Sequence, residues 1–278
     1  MTDSVGRMRD RLRTNMPTPA RMYDYCLGGK DNFEPDRSAA EEMYRKIGHV
    51  PKDFAWENRK FLWRAVDYAS RQLGVSQFID VGAGLPTVRN THEIAQEINP
   101  DARVVYVDND AIVVSHGRAL LATNANTAMI EADALDPASI LDAPQTAARI
   151  DFSQPVAILF VALLHFLTAP GHHRHVPGNL VPAEVVAAFT ERVAPGSALV
   201  ISHVTTEGAP ADRVAVMEDV FDSVSSPMIF RPREEIEAMF AGWRMLPPGL
   251  VRPWQWPADA IDSPRTPYFL AGVAVKDA

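Results

Sequence analysis

The spacing of apolar residues predicts alternating strands and helices along most of the chain. Seven short apolar runs, separated by stretches with helical spacing, are expected to be β-strands. They cover residues 75–81, 103–108, 127–133, 156–161, 197–202, 243–246 and 268–275. The fourth run is almost wholly apolar, as expected for a strand that is buried on both faces. This alternation predicts an α/β fold in which a mostly parallel sheet has helices on both faces.

A helical region precedes the first strand. Apolar residues recur at helical spacing between Phe54 and Leu73, and shorter helices are expected over 22–27 and 36–47. Each of these helices is followed by glycine, a frequent stop signal. We therefore predict an N-terminal helical cap or lid, residues 1–74, and a core, residues 75–278, that form one compact unit.

The first strand ends in a glycine turn. Asp80 lies just before the segment Gly82-Ala83-Gly84, and a helical pattern is expected to start at about residue 86. Glycine leaves no Cβ between the backbone and a ligand, and a helix N-terminus beyond the turn offers unpaired amides. Such a turn at the carboxyl end of the first strand is the usual ligand position of an open α/β sheet.

The residues of this turn distinguish two ligand classes. The dinucleotide motif requires glycine or alanine where this chain has Thr87, so a nucleotide-dependent oxidoreductase is disfavoured. A carboxylate at Asp80 suits a ligand that carries an ammonium group and is poorly placed beside a pyrophosphate. The pattern D-x-G-x-G favours S-adenosylmethionine (SAM), whose methionine moiety has that group.

Two further acids are expected at the same edge of the sheet. Asp108 ends the second strand and is placed to accept hydrogen bonds from both ribose hydroxyls, whereas Asp133 ends the third strand and is placed to accept from the adenine amino group. The alternative for each is a helix cap or turn. The carboxyl ends of parallel strands meet at one rim, so these acids should converge with the glycine turn.

Several motifs resemble one known family. The segment from Ala20 to Phe33, ARMYDYCLGGKDNF, and the motif DVGAG at Asp80 are similar to the actinobacterial family once described as a domain of unknown function and now called S-adenosyl methyltransferase. Further similar segments are NTHEIAQ at 90–96, YVDND at 106–110, LHF at 164–166 and PGSALVISH at 195–203. Together they run from about residue 19 to residue 275, nearly the whole chain.

This resemblance implies a Rossmann-like class I methyltransferase with a seven-stranded sheet, its last strand antiparallel and next to strand five. It implies SAM as the cofactor and leaves the methyl acceptor open. The residues that we assign to the cofactor site are Asp80, Gly82, Ala83, Gly84, Asp108, Asn109, Asp133, Ala134, Lys30 and Arg59.

Methyl transfer needs an oriented acceptor, and a base only if the attacking atom is protonated. His165 and His203 follow the fourth and fifth predicted strands and are base candidates, with a structural role as the alternative. Tyr23 is a third catalytic candidate and, with Asp24 and Lys30, is expected to close over the cofactor. Lys30 or Arg59 is expected to pair with the cofactor's carboxylate.

The sequence leaves the roles of two loops undecided, one rich in histidine and one that contains two tryptophans. The histidine tract at 171–175 lacks cysteine and nearby acids, so a solvated loop is favoured over a metal site, and no metal is predicted. Trp254 and Trp256 are expected to pack on the sheet, with an acceptor pocket as the alternative.

Composition and charge exclude several classes of protein. The 278 residues are 47% hydrophobic and 22% charged, ordinary for a globular protein, and the net charge is −8 with a pI near 5.5. This balance argues against general binding to nucleic acid or anionic membranes. The single cysteine, Cys26, and the absence of an apolar segment after the charged N-terminus indicate a cytoplasmic location. A SAM-dependent methyltransferase acting on a small molecule is therefore predicted, with a non-catalytic SAM-binding regulator as the alternative and the oligomeric state open.

Overall fold

The computed structural model describes residues 12, 14–121, 124–258 and 266–278. Residues 1–11 and 13 of the predicted N-terminal cap lie outside the described residues. The described strands are β1 Gln77–Val81, β2 Arg103–Asp108, β3 Thr127–Glu131, β4 Ala157–Val161, β5 Ala198–Val204, β6 Arg244–Met245 and β7 Phe269–Val275. Each coincides with a predicted run.

The described helices fall between these strands and before β1. They are α1 Pro19–Leu27, α2 Glu34–Ile47, α3 Val50–Arg71, α4 Thr91–Ile98, α5 Ala111–Leu120, α6 Pro137–Leu141, α7 Pro144–Ala147, α8 Pro182–Arg192, α9 Ala211–Asp222 and α10 Arg233–Ala238. Short 3₁₀ turns occupy Leu164–Phe166 and Pro253–Gln255. Among the described residues, no helix combines the length and hydropathy that a membrane span requires.

The strands of the described residues form one seven-stranded sheet in the order β3-β2-β1-β4-β5-β7-β6. β1 to β5 are parallel, and β7 is antiparallel to both β5 and β6. This confirms the predicted α/β architecture and the antiparallel last strand. The chain runs outward from β1 to β3 and then returns to the other side of β1 at β4. The strand order therefore reverses between β1 and β4, where an open α/β sheet binds its ligand.

Three apolar clusters stabilise the layers. One face of the sheet packs against α6, α8 and α10, and the other packs against α3, α4 and α5. The third cluster joins α1 and α2 to α9, β5 and β7, and it includes Met43, Phe221 and Phe269. Apolar burial contributes about 25 cal/mol per Å². The N-terminal helices are thus packed against the core through two of the three clusters.

Two predicted boundaries were wrong. The helix expected at residue 86 begins at Thr91, because Asn90 and Glu93 form a capping box: Asn90 N donates to Glu93 Oε2 at 2.6 Å, and Glu93 N donates to Asn90 O at 3.0 Å. β5 extends to Val204, two residues further than predicted, because its pairing with β7 continues to Phe269.

Candidate active site

The glycine turn after β1 places bare backbone at the rim of the sheet. Gly82 and Gly84 have φ angles of 74° and 68°, in the left-handed region that glycine occupies without strain. Gly82 N donates to Val107 O at 2.8 Å, which fixes the turn against β2. A Cβ on Gly82 would lie 2.6 Å from Leu163, whereas a Cβ on Gly84 would meet no atom of the described residues within 4 Å. Gly84 therefore faces open space.

The structure brings the three predicted acids to one cleft. Asp80, Asp108 and Asp133 line it together with the glycine turn, and its volume is about 620 Å³. The N-terminal helices α1 and α3 form the opposite wall, through residues such as Met22 and Asn58. Among the described residues, no group of three or more His, Cys, Asp or Glu side chains is arranged to hold a metal ion.

Asp108 is the most tightly held of these acids. Its Oδ2 accepts a hydrogen bond from Gly84 N at 2.9 Å, and its Oδ1 accepts one from Asp110 N at 2.9 Å. Burial raises the pKa of Asp108 to about 6, because the surroundings disfavour the charged form more than the two amides stabilise it. The carboxylate is therefore held in a fixed orientation at the end of β2. Its hydrogen bonds do not fully offset the cost of burying its charge.

Asp80 and Asp133 differ in environment. Asp80 is buried and accepts a hydrogen bond from Thr91 Oγ1 at 2.6 Å. Burial raises the pKa of Asp80, and the hydrogen bond from Thr91 and the nearby Arg59 oppose that effect. Asp133 is exposed, accepts from Leu135 N at 2.9 Å and is contacted by Asn109 Nδ2 at 3.3 Å. The rim thus has a buried carboxylate at β1, from Asp80, and an exposed carboxylate after β3, from Asp133.

Two members of the predicted cofactor set do not reach the cleft. Ala134 packs in the apolar cluster beneath the sheet, because β3 stops at Glu131 and the chain turns inward there. Lys30 is exposed and lines a separate, smaller cavity of about 170 Å³. Asn109, another member of the predicted set, lines the main cleft.

Arg59 on α3 lines both cavities and is buried, with 8% of its surface exposed. Its Nη2 donates to Arg89 O at 3.2 Å and to Asn90 Oδ1 at 3.3 Å, but its Nε has no hydrogen-bond partner among the described residues. Two further residues that line the smaller cavity also have a buried polar atom, Trp63 Nε1 and Thr87 Oγ1, with no partner in the described part of the chain. Three unsatisfied donors in one place fit an anionic group of a ligand.

The polar segment after α1 is built around Asp24. Asp24 Oδ2 accepts from Asp31 N at 3.1 Å and from Asn32 Nδ2 at 2.8 Å. A Cβ on Gly29 would overlap the Asp24 carboxylate, so this position requires glycine. Asp24 therefore stabilises the loop and lines the smaller cavity, while Tyr23 is the member of the predicted lid that lines the main cleft.

Tyr23 is fully engaged in hydrogen bonds. Its hydroxyl donates to Ala55 O at 2.9 Å and accepts from Asn58 Nδ2 at 3.0 Å. Burial raises the pKa of Tyr23 to about 12, so the phenol stays neutral at physiological pH. These contacts join α1 to α3 in the cleft wall.

The two candidate bases lie in different places. His165 is in the 3₁₀ turn after β4 and lines the cleft. The placement predicted for His203 was wrong: it lies inside β5 and is not among the described residues that line the cleft. Its Nδ1 is 2.7 Å from Val204 O and its Nε2 is 3.0 Å from Arg231 Nη1. Burial and the nearby Arg231 lower the pKa of His203 to about 3. His203 is therefore a neutral side chain in the interior of the sheet, where its role is structural.

A buried polar network that the sequence did not reveal fastens α1 to the end of β2. Arg21 is fully buried, donates from Nε to Thr18 Oγ1 at 2.9 Å and pairs with Asp36 at 3.3 Å. Thr18 Oγ1 donates in turn to Asp110 Oδ2 at 3.0 Å, and Asp110 caps α5 by accepting from Ile112 N at 2.9 Å. The network holds the first helix against the residues that follow Asp108.

The histidine tract and the tryptophan loop lie away from the carboxylates. In the tract, Arg174 donates to Val224 O at 3.1 Å and to Ser225 O at 2.9 Å, which ties the tract to the loop after α9. Trp256 is fully buried and packs against Phe61 on α3, as the packing interpretation predicts.

The sheet has the strand order given above, its strand β7 is antiparallel, and carboxylates line a cleft at the carboxyl ends of β1 to β3. Together these features define the class I methyltransferase fold. Residues 6–277 match the family model of the S-adenosyl methyltransferases, and the chain belongs to this family. It is therefore a methyltransferase whose cofactor is SAM. The predicted resemblance is confirmed.

Two solved structures are similar over nearly the whole chain. A candidate methyltransferase from Thermobifida fusca YX is 41% identical, with 95% of this chain and 96% of that chain covered and a TM-score of 0.84. A DUF574 family protein from Streptomyces avermitilis MA-4680 is 36% identical, with 96% and 100% covered and a TM-score of 0.86. Among curated proteins, none matches the chain significantly.

Proposed function

We propose that the chain transfers a methyl group from SAM to a small molecule, within the cleft between the sheet and the N-terminal helices. The observation that carries this proposal is the continuity of the cleft, which runs from the carboxylates of β1 to β3 to a space enclosed by α1, α3 and α9. A cleft of about 620 Å³ that also has to hold the cofactor leaves room for a small acceptor. The net charge of −8 also argues against nucleic acid as the acceptor.

The donor groups around the cleft fit the cofactor. Asp108 would hold the ribose hydroxyls, Asp133 and Asn109 would lie at the adenine, and Asp80 would hold the ammonium group of the methionine moiety. The unpartnered Nε of Arg59 supports pairing with the carboxylate, with Lys30 nearby in the smaller cavity. Gly84, whose missing Cβ leaves open space, allows close approach of the ligand to the backbone.

Bound SAM supplies an electrophilic methyl group on a sulfonium with an excellent leaving group. The contribution of the chain is therefore to hold the acceptor close to this methyl group and in line with it, a contribution of proximity and orientation. We propose that neither Tyr23 nor His203 removes a proton, since the Tyr23 hydroxyl is engaged in both directions and His203 lies inside the sheet. Of the two histidines considered as bases, His165 is the one that lines the cleft.

We also propose that residues 1–74 and 75–278 act as one unit, because α3 packs on the sheet and α1 is fastened to Asp110 through Thr18. A cytoplasmic location and an actinobacterial source remain predictions from the sequence and the family.

The proposed activity is tested by incubating the full chain with isotopically labelled SAM and a small-molecule extract depleted of protein and nucleic acid. We expect S-adenosylhomocysteine (SAH) to form and the label to appear in a compound of low molecular mass. Labelling that appears only when macromolecules are restored would contradict a small-molecule acceptor, and SAH formation without a methylated product would contradict group transfer.

The affinity for SAH is expected to depend on pH through Asp108. Its raised pKa of about 6 means that the carboxyl of the free protein carries a proton below that pH, and a protonated carboxyl cannot accept from two hydroxyls at full strength. Titration calorimetry from pH 5 to 8 should therefore show a constant Kd above about pH 7 and a weakening that approaches tenfold per unit below pH 6. An unchanged Kd across this range would contradict the role of Asp108.

A further inference from the structure

The cleft continues beyond the carboxylates into an apolar chamber. We define this chamber by six side chains from α1, α3, the 3₁₀ turn after β4, α9, the loop after it and β7. They are Met22, Phe54, Phe166, Phe221, Met228 and Phe269. All line the same cleft as Asp80 and Asp108, so a molecule in the chamber would be adjacent to a molecule held by the acids.

The chamber wall is electrically neutral. Among the described residues that line the cleft, the charged ones are Arg59 and the acids at the ends of β1, β2 and β3. The titratable groups that line the cleft near the apolar side chains are Tyr23, whose phenol is neutral as described above, Cys26 and His165. Burial raises the pKa of the Cys26 thiol to about 11 and lowers the pKa of His165 well below its usual range, so both are uncharged at neutral pH. A charged group placed here would lose its hydration without gaining a partner, which is costly.

One polar atom in this wall lacks a partner. His165 is 1% exposed, and its Nδ1 makes no hydrogen bond to the described residues. Tyr23 and Asn58, two other polar residues that line the cleft, are hydrogen-bonded to each other, and Asn58 also accepts from Ser202 Oγ. A buried imidazole nitrogen without a partner is unfavourable unless a ligand supplies one. The unsatisfied atom marks a place for a single polar group of a ligand.

We infer that the apolar chamber is the acceptor site and that it takes an uncharged, largely apolar small molecule whose polar group is a hydroxyl or a weakly basic aromatic amine. This inference rests on the proposed function. The acceptor's heteroatom forms the new bond to the methyl carbon, the carbon–sulfur bond breaks with its electron pair on sulfur, and the acceptor's proton passes to solvent. His165 orients the polar group and is a neutral hydrogen-bonding partner in this arrangement.

The loop after α9 offers a matched pair of variants. Ser226 is half-buried and lines the cleft, whereas Ser223 is exposed and is not among the lining residues. The loop is held by the hydrogen bonds of Arg174 to Val224 and Ser225, so a larger side chain at position 226 is expected to fill the chamber rather than unfold the loop. The variants are Ser226→Trp and Ser223→Trp.

The test measures binding of 2-naphthol and of 6-hydroxy-2-naphthoate to the full chain saturated with SAH, by naphthol fluorescence. We expect 2-naphthol to bind at least tenfold more tightly than the carboxylate analogue. Ser226→Trp should weaken 2-naphthol at least tenfold and leave the Kd for SAH within about twofold, and Ser223→Trp should change neither.

Equal or tighter binding of the carboxylate analogue, no binding of 2-naphthol, or unchanged binding in Ser226→Trp would overturn the inference while SAH still binds. Failure of the wild-type chain to bind SAH would instead contradict the proposed function. The SAH titration therefore separates the two failures.

Discussion

Replacement of Asp108 by alanine is expected to weaken SAH binding about 100-fold. The carboxylate is buried at the end of β2, its two oxygens are fixed by Gly84 N and Asp110 N, and we propose that it accepts from both ribose hydroxyls. Hydrogen bonds to a charged group contribute about 1.5–3 kcal/mol each, so two at the lower end of that range contribute about 3 kcal/mol, which corresponds to roughly 100-fold in Kd. Titration calorimetry with SAH measures the effect.

Asp101→Ala is the matched control, because Asp101 is an exposed acid at the opposite end of β2 and should leave the Kd unchanged. Thermal melting shows whether Asp108→Ala is still folded. Asp108→Asn keeps one acceptor oxygen and should give an intermediate loss. A folded Asp108→Ala protein with a Kd within threefold of the wild type would refute the assigned role.

Replacement of Arg21 by methionine is expected to lower the free energy of unfolding by about 3–5 kcal/mol. Methionine retains much of the apolar stem but leaves the fully buried Asp36 without its cation, and an uncompensated buried charge has a cost of this order. Since Arg21 and Thr18 connect α1 to Asp110, the affinity for SAH should fall as well. Urea unfolding and an SAH titration measure the two effects.

Arg45→Met on the exposed face of α2 is the control, since surface charges contribute about 0–1 kcal/mol. If Arg21→Met unfolds at the same urea concentration as Arg45→Met, the network does not anchor the cap. A separate early transition that reports on α1 and α2 would contradict the proposal that cap and core act as one unit.

The part of the site that lies on the sheet could be predicted because its signals are local. Apolar runs located β1 and β2, and each ends in an acid, so parallel pairing alone brings Asp80 and Asp108 to one rim. The turn at Gly82 and Gly84 follows directly from glycine at positive φ. These inferences require no knowledge of distant contacts.

The remainder depends on contacts between residues far apart in the chain. β5 includes His203 because β7 pairs with it opposite Leu270, which no property of the segment around His203 specifies. The hydrogen bond between Thr18 and Asp110 joins residues 92 positions apart. Ala134 was assigned to the cofactor site, but it packs in the core. The apolar chamber likewise exists only once α1, α9 and β7 have packed.

A crystal structure of the full chain with SAH would test the central claim most directly. We expect the ribose hydroxyls within hydrogen-bond distance of the Asp108 carboxylate and the adenine beside Asp133. The amino acid moiety should lie between Asp80 and Arg59, and the apolar chamber should stay open. SAH bound elsewhere, or with its ribose away from Asp108, would contradict that claim.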